Sequence, residues 1–257
     1  MAEFSVVIPA RLGSTRLPGK VLLEIGGRPM VQHVHDRAVA SGAAEVIVAT
    51  DDAEVAERCR GFGATVAMTG RHHRSGTDRI AEVVEARGMA GRHVVVNVQS
   101  DEPLLPPTLI RHVAEDLARH GQADIATLAA PVATAAELFD PNVVKLVRDR
   151  AGFALYFSRA PIPWHREGFR TSPGTLPSDT AYWRHIGLYA YRVESLRRLA
   201  SEPTDPLELA ESLEQLRALA CGMRIHVAEA LAPAGLGVDT LEDLERVRAL
   251  LRKEPPG

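Results

Sequence analysis

Three cations, Arg11, Arg16 and Lys20, fall within ten residues among Gly13, Ser14 and Gly19 in the stretch VVIPARLGSTRLPGK, residues 6–20. Backbone N–H groups left accessible by small residues, together with converging positive charge, are what a polyphosphate requires. The stretch is not a Walker P-loop, because five residues rather than four separate Gly13 from Gly19 and Val21 follows Lys20. A GxGxxG fingerprint is absent as well. On its own the stretch reads as an anion cradle or as a solvated basic loop. Carboxylates come next. In VVVNVQSDEP, residues 94–103, Asp101 and Glu102 follow an apolar run, and acids at a strand's C-terminal end can reach a Mg²⁺ that bridges substrate phosphates; Asp101 is the candidate ligand. GVDTLEDL supplies Asp239, which reads either as a second ligand or as the N-cap of a final helix with Glu242 completing a capping box. In RHHRSGTDR, His72 and His73 are adjacent and no further ligands follow at zinc spacing, so zinc is discounted. The SGTD run opens a helix that Ser75 or Thr77 can cap.

Such side chains must be held by a scaffold, and the periodicity predicts one. FSVVIP, a helical pattern over 29–40, EVIVAT, a helix over 53–60 and ATVAM alternate in a βαβα rhythm, followed by a helix from about Ser75 and the strand HVVVNV. Strands apolar at nearly every position belong to a parallel sheet covered on both faces. The fold class expected is α/β and Rossmann-like, with a mostly parallel central sheet and an inserted smaller lobe. After about Asp124 the rhythm loosens into candidate strands DIATLA, NVVKLVRD, GFALYFS and HIGLYAY, and the Pro-, Gly-, Ser- and Thr-rich tract 165–179 reads as an exposed loop. PLELAESLEQLRALACG reads as one helix stopped by Gly222, and a strand near 225–228 and a helix over 241–251 follow. One domain over 1–257 is expected, with a core of about 1–130 plus 223–257 and a lobe of about 131–222.

Composition narrows the function classes. With 46% hydrophobic and 25% charged residues the chain reads as a folded globular protein. A net charge of −3 and 5% aromatic residues give no basic, aromatic face for nucleic acid, so any anion must be held locally. Cys59 and Cys221, the only cysteines, read as reduced thiols. No stretch approaches the apolar length of a membrane span and the N-terminus lacks a signal pattern, so no membrane association and a cytoplasmic location are expected.

The segment 6–20 is similar to the opening motif of the CMP-Kdo synthetases, a family of GT-A-type nucleotidyltransferases that act on 3-deoxy-manno-octulosonate (Kdo). Seven further segments match in order over essentially the whole chain: EVIVATDD, RHHRSGTDR, VVVNVQSDEP, ALYFSRAPIPW, RHIGLYAYR, PLELAESLEQLR and GVDTLEDLERV. The resemblance implies transfer of CMP from CTP to Kdo with release of pyrophosphate, activation of the sugar for lipopolysaccharide synthesis, Mg²⁺ as cofactor, and a homodimer. It implies CTP contacts from Ala10, Arg11, Leu12, Gly13, Ser14, Arg16, Lys20, Arg71, Ser75, Gly76 and Gln99. Catalytic roles fall on Arg11, Lys20, Asp101 and Asp239, the two acids being the Mg²⁺ ligands, and the core and lobe become the CTP and metal unit and the sugar and dimerisation unit. For the sugar it implies Gln99, Arg159, His185, Tyr189, Glu214 and Gln215. Read without the family, Arg159 is a surface ion pair, His185 a core histidine, and Glu214 and Gln215 a solvated helix face; His185 and Tyr189, four apart on a strand pattern, share a face. One departure is Ser100, where the family usually has Gly before the metal-binding Asp. Cytidylyltransferases for 8-amino Kdo or a sialic acid, and a catalytically silent nucleotide-binding homologue, are the alternatives.

Overall fold

A computed structural model describes residues 3–13, 17–73, 75–172 and 174–252. The first half follows the alternating rhythm: β1 (Phe4–Pro9), a short hairpin β2 (Glu24–Ile25) and β3 (Arg28–Pro29), α1 (Met30–Ala40), β4 (Glu45–Thr50), α2 (Ala53–Gly61), β5 (Thr65–Met68), α3 (Gly76–Ala86), β6 (Val94–Asn97) and α4 (Pro107–Arg119). The second half contains β7 (Ile125–Pro131), α5 (Ala135–Phe139), β8 (Lys145–Arg148), β9 (Ala154–Ser158), α6 (Arg166–Thr171), β10 (Trp183–Arg192), α7 (Val193–Ser201), α8 (Pro206–Glu211), α9 (Gln215–Ala220), β11 (Ile225–Glu229) and α10 (Leu241–Leu251).

The main sheet has the order β11-β7-β10-β6-β1-β4-β5, with β8 and β9 appended beside β10. β1 pairs in parallel with β4 and β6, β4 with β5, and β7 with β11, whereas β10 is antiparallel to both β6 and β7. Six of the seven strands on the main path therefore point one way, and their C-terminal ends share an edge. Every residue of β1 and β6 is buried. Alternation along β1 splits the core into two layers. Val6 and Ile8 pack with Val31 and Val34 of α1 and with Ile110, Val113 and Leu117 of α4. Val7 packs on the other face with Ile80 and Val83 of α3 and Leu196 and Leu199 of α7.

Three departures from the sequence reading bear on the site. The 165–179 tract is not wholly loop: α6 forms there because Phe169 is buried against Val132, Leu138 and Tyr182, and His165 caps it by accepting from Gly168 N–H at 2.8 Å. The single helix expected over 206–221 is broken into α8 and α9 at Ser212, whose φ of 52° is left-handed. The amphipathic helix α4, whose Leu109, Ile110, Val113 and Leu117 are buried, adds a covering helix that the sequence reading left unassigned. Cys59 is buried, which pushes its thiol up to about 11, and Cys221 is half-buried; both are free. Among the described residues no helix is long and apolar enough to cross a membrane.

Candidate active site

β1 ends at Pro9, and Ala10, fully buried, donates its N–H to Ala49 at 2.8 Å, so the chain leaves the sheet at the shared C-terminal edge. Arg11 and Gly13 are exposed there and Leu12 is half-buried. Ser14 and Arg16 lie outside the described residues. Gly19, with a φ of 66°, caps a single 3-10 turn over Lys20–Leu22 and donates to the Leu12 carbonyl at 3.2 Å; this left-handed step turns Lys20 back over the sheet edge.

Lys20 is the centre of the charged cluster. Its ammonium donates to Asp101 Oδ2 at 2.5 Å, to Asp239 Oδ1 at 3.1 Å and to the Val238 carbonyl at 3.2 Å. Asp101 lies in the turn after β6, and Asp239 precedes α10; Val238 N–H donating to the Asp101 carbonyl at 2.8 Å ties the two segments. The acids are therefore neighbours although 138 positions apart. The capping reading of Asp239 is corrected: Thr240 is the N-cap, accepting from Asp243 N–H, and Asp243, not Glu242, returns the bond to complete the box. Asp239 and Asp101 have side chains 46% and 28% exposed, so their carboxylates are open to solvent, as ligands of a hard, oxygen-seeking cation that keeps water among its ligands must be. Two carboxylates already converging on one cationic group fit Mg²⁺.

Glu102, which the sequence reading left without a role, lies beside them. Burial, with the charges of Asp101 and Asp239, pushes its carboxyl up to about 7, and Lys20 only partly offsets this. The Ser100 departure is resolved structurally: left-handed φ is confined to Ser212 among described non-glycine residues, so Ser100 is accommodated, buried, without the strain a positive φ imposes.

A cavity of about 280 Å³ beside this loop is lined by Arg11, Leu12, Gly13, Arg71, Arg79, Asp51, Asp52 and His73. It brings Arg11 and Arg71 together. Arg79 is buried and fixed by Asp51 at 3.1 Å and by Thr69, a cation the sequence reading missed because its helix position signals only amphipathicity. Ser75 does cap α3, accepting from Asp78 N–H at 3.1 Å. Gly76 lies so close to β1 that a Cβ there would stand 3.1 Å from Pro9 Cγ and 3.9 Å from Gln99 Nε2; Gln99 itself donates to Asn97 Oδ1 at 3.1 Å.

The second half contributes an adjoining polar set. Along β10 the pairing with β7 jumps from Ile186 opposite Leu128 to Tyr189 opposite Thr127, so two extra residues preserve the alternation. His185 and Tyr189 accordingly share a face, their ring centroids 5.2 Å apart. Thr127 donates its hydroxyl to the carbonyls of Leu188 and Ile186, so His185 Nε2–H donates to Thr127 Oγ1 at 2.9 Å and Nδ1 is left as an acceptor. Burial pushes His185 down to about 3, which keeps it neutral, and raises the Tyr189 phenol. Glu214 and Gln215 are not on a solvated face. Glu214 receives Thr77 Oγ1–H at 2.6 Å and Arg217 Nη2–H at 2.9 Å, and burial raises its carboxyl against those partners. Gln215 is buried, and its Nε2 has no hydrogen-bond partner among the described residues.

Arg159 follows β9, two residues after Phe157, whose ring meets that of His185 at 5.1 Å, and it is not a surface ion pair. Its backbone N–H donates to Glu211 Oε2 at 2.8 Å, Nε to the Glu211 carbonyl at 2.6 Å and Nη1 to the Pro141 carbonyl at 2.9 Å. Ser158 holds the other Glu211 oxygen at 2.6 Å. Glu211 and the fully buried Lys145, whose ammonium donates to the Asp140 carbonyl at 2.7 Å and to that of Val143, order this corner.

The cytidylyltransferase family model matches residues 5–225. A 3-deoxy-manno-octulosonate cytidylyltransferase of Idiomarina loihiensis is 56% identical over 248 residues, 96% of this chain and 98% of the relative. One of Pseudomonas syringae pv. tomato is 57% identical over 251 residues, 97% of this chain and 98% of the relative. The solved structure of a CMP:2-keto-3-deoxy-manno-octonic acid synthetase complexed with CTP superposes with a TM-score of 0.89 at 42% identity, covering 99% of this chain and all of the other. With the α/β sheet and the acids at its C-terminal edge, these likenesses show that the chain belongs to the cytidylyltransferases and, within them, to the 3-deoxy-manno-octulosonate cytidylyltransferase family.

Proposed function

We propose that this chain transfers CMP from CTP to Kdo, giving CMP-Kdo and pyrophosphate. The observation that carries this reading is identity of 56% and 57%, over nearly the full length, to relatives named for that reaction. In the reaction the anomeric hydroxyl oxygen of Kdo forms a bond to the α-phosphorus of CTP. The bond from that phosphorus to the bridging oxygen of the β-phosphate breaks, pyrophosphate leaves with the electron pair, and the hydroxyl proton passes to solvent. Asp101 and Asp239 would hold Mg²⁺, which when bound neutralises charge on the α-phosphate and favours the ionised hydroxyl.

The chain's own groups do the rest by positioning. Lys20 and Arg11 balance triphosphate charge, a role Arg16 would share; the backbone N–H groups of Leu12 and Gly13, and that of Ser14, would serve as donors, while Ala10, whose N–H is held by Ala49, sets where the loop leaves the sheet. Arg71, Ser75 and Gly76 hold the cytidine side, and Gln99 lies between nucleotide and sugar. His185 and Tyr189, with Glu214 and Gln215, take the sugar hydroxyls, for which the unpartnered Gln215 amide and the free Nδ1 of His185 are suited. Arg159 takes the sugar carboxylate, its guanidinium preset by backbone carbonyls so that little side-chain freedom is lost on pairing. The same reading makes the protein a cytoplasmic homodimer supplying activated sugar for lipopolysaccharide synthesis. A pyrophosphate-release assay with CTP and Mg²⁺ against Kdo, 8-amino Kdo and a sialic acid tests it: Kdo should turn over fastest, and faster release with either rival overturns the substrate assignment.

A further inference from the structure

Away from the active site, α4 and β11 bring two histidines and an aspartate together. The end of α4 leads into β7, and β11 starts alongside β7 in parallel. This corner therefore lies at the N-terminal ends of the strands, opposite the edge that carries Asp101. Asp116 and His226 are 3% and 7% exposed and take no part in the transfer reaction. His226 Nδ1 is 2.6 Å from Asp116 Oδ2, and His120 Nδ1 is 3.3 Å from Asp116 Oδ1 and 2.8 Å from the Asp116 carbonyl. The two imidazoles stack with centroids 3.6 Å apart and planes 17° from parallel. One ligand atom from each of the three residues lies within 4.8 Å of the others.

The His226 ring is held in place. Phe153 meets it edge-on at 5.3 Å, and Gly152, with a φ of 86°, lets it in: a Cβ there would stand 2.6 Å from His226 Nε2. With Nε2 against the glycine, Nδ1 is the nitrogen turned to the carboxylate. His120, 36% exposed, opens the cluster to solvent.

We propose that Asp116, His120 and His226 form a site for a transition-metal cation of the zinc class. Two imidazoles and a carboxylate, with water in the fourth position, are a ligand set zinc takes at about 2.0–2.2 Å, which spaces ligand atoms by roughly 3.3 Å. The Nδ1-to-carboxylate spacings of 2.6 and 3.3 Å, to the two oxygens of Asp116, are in the range of this, and because the rings stack 17° from parallel it is the half-exposed His120 ring that must swing out of the stack so that both Nδ1 lone pairs meet at one ion. On binding, each neutral ring gives up the Nδ1 proton it now directs at an Asp116 oxygen and carries its single proton on Nε2 instead. The ion ties the last turn of α4 to the edge strand β11 and acts as a clamp, not as a catalyst. A rival cluster, His72, His73 and Glu82, also gathers ligand atoms within 4.8 Å. It is the poorer site, because two of its members are sequence neighbours and Glu82 is already engaged by Gly70 N–H at 3.0 Å as well as by His73.

Calorimetric titration of the full chain with Zn²⁺ in excess Mg²⁺, with metal content measured after dialysis, tests the proposal. One Zn²⁺ per chain is expected. His120→Ala and His226→Asn should each weaken it by about tenfold or more, while Asp101→Asn and His72→Ala leave it within about twofold. Asparagine keeps an N–H donor for Asp116, and His120 is half-exposed, so both variants retain the fold by circular dichroism. Absence of stoichiometric Zn²⁺, binding undiminished in both histidine variants, or loss in Asp101→Asn or His72→Ala would each overturn the site.

Discussion

At the scale of single residues, the decisive contact is Lys20 between Asp101 and Asp239. Two ligands of one ion act as a unit, so Asp101→Asn and Asp239→Asn should each lower kcat at least about a hundredfold, roughly 2.7 kcal/mol, and the double variant should be little worse. Because Thr240 caps α10, Asp239→Asn should leave the melting temperature nearly unchanged. Fully additive losses in a Mg²⁺ titration of activity would mean that the acids do not share an ion. Glu102 gives a pH prediction. Its folded-state value of about 7 exceeds the ordinary 4.5, so between those values the folded protein keeps a proton that the unfolded chain has released. Stability from this group therefore falls as pH rises through that window and levels off above it. Glu102→Gln lacks the penalty, and its stability relative to the parent should rise from pH 5 to pH 8 without Mg²⁺, by at most on the order of 3 kcal/mol. A difference constant with pH in thermal melts would show that Glu102 is ionised throughout.

At the scale of elements, Ser212 governs how α9 is presented. Its left-handed backbone ends α8 and re-aims the chain, so that Leu213 and Gln215 turn inward and Glu214 reaches Thr77. A β-branched residue tolerates that conformation poorly, and Ser212→Val should cost about 1–2 kcal/mol. It should also raise the KM for the sugar more than for CTP, since Glu214 is the N-cap of α9 and Gln215 its first residue. Ser212→Gly should do neither. Thermal melts and substrate titrations separate the cases, and a harmless Ser212→Val would mean that the α8–α9 break does not position the sugar groups. Arg159 depends on an element in the same way, because its guanidinium is set by carbonyls at Pro141 and Glu211 and not by a charged partner.

At the scale of the molecule, the segment between β7 and β10 leaves Phe139 and Trp164 at 39% and 60% exposure, their rings 6.4 Å apart. Apolar side chains grouped on a surface are suited to burial against another chain. Light scattering should give twice the monomer mass, and Trp164→Glu should shift the distribution toward monomer. A dimer indifferent to that change would place the interface elsewhere.

Legible along the chain was what depends on neighbouring residues: the alternation of β1, β4, β5 and β6 with α1 to α3, a helix start at Ser75 or Thr77, the stop after α9, α10, and the basic loop followed by acids after β6, while the β2–β3 hairpin was not. Periodicity and capping are local, so they survive without the fold. The reversed strand β10, the break at Ser212 and the helix around Phe169 depend on what each segment packs against, and local propensity reads them wrongly or not at all. Asp239 illustrates the limit. Its sequence neighbours suggested a cap, but only the strand order brings it to Lys20 and Asp101, and only the burial created there lifts Glu102, because charge proximity and desolvation are properties of the assembled structure.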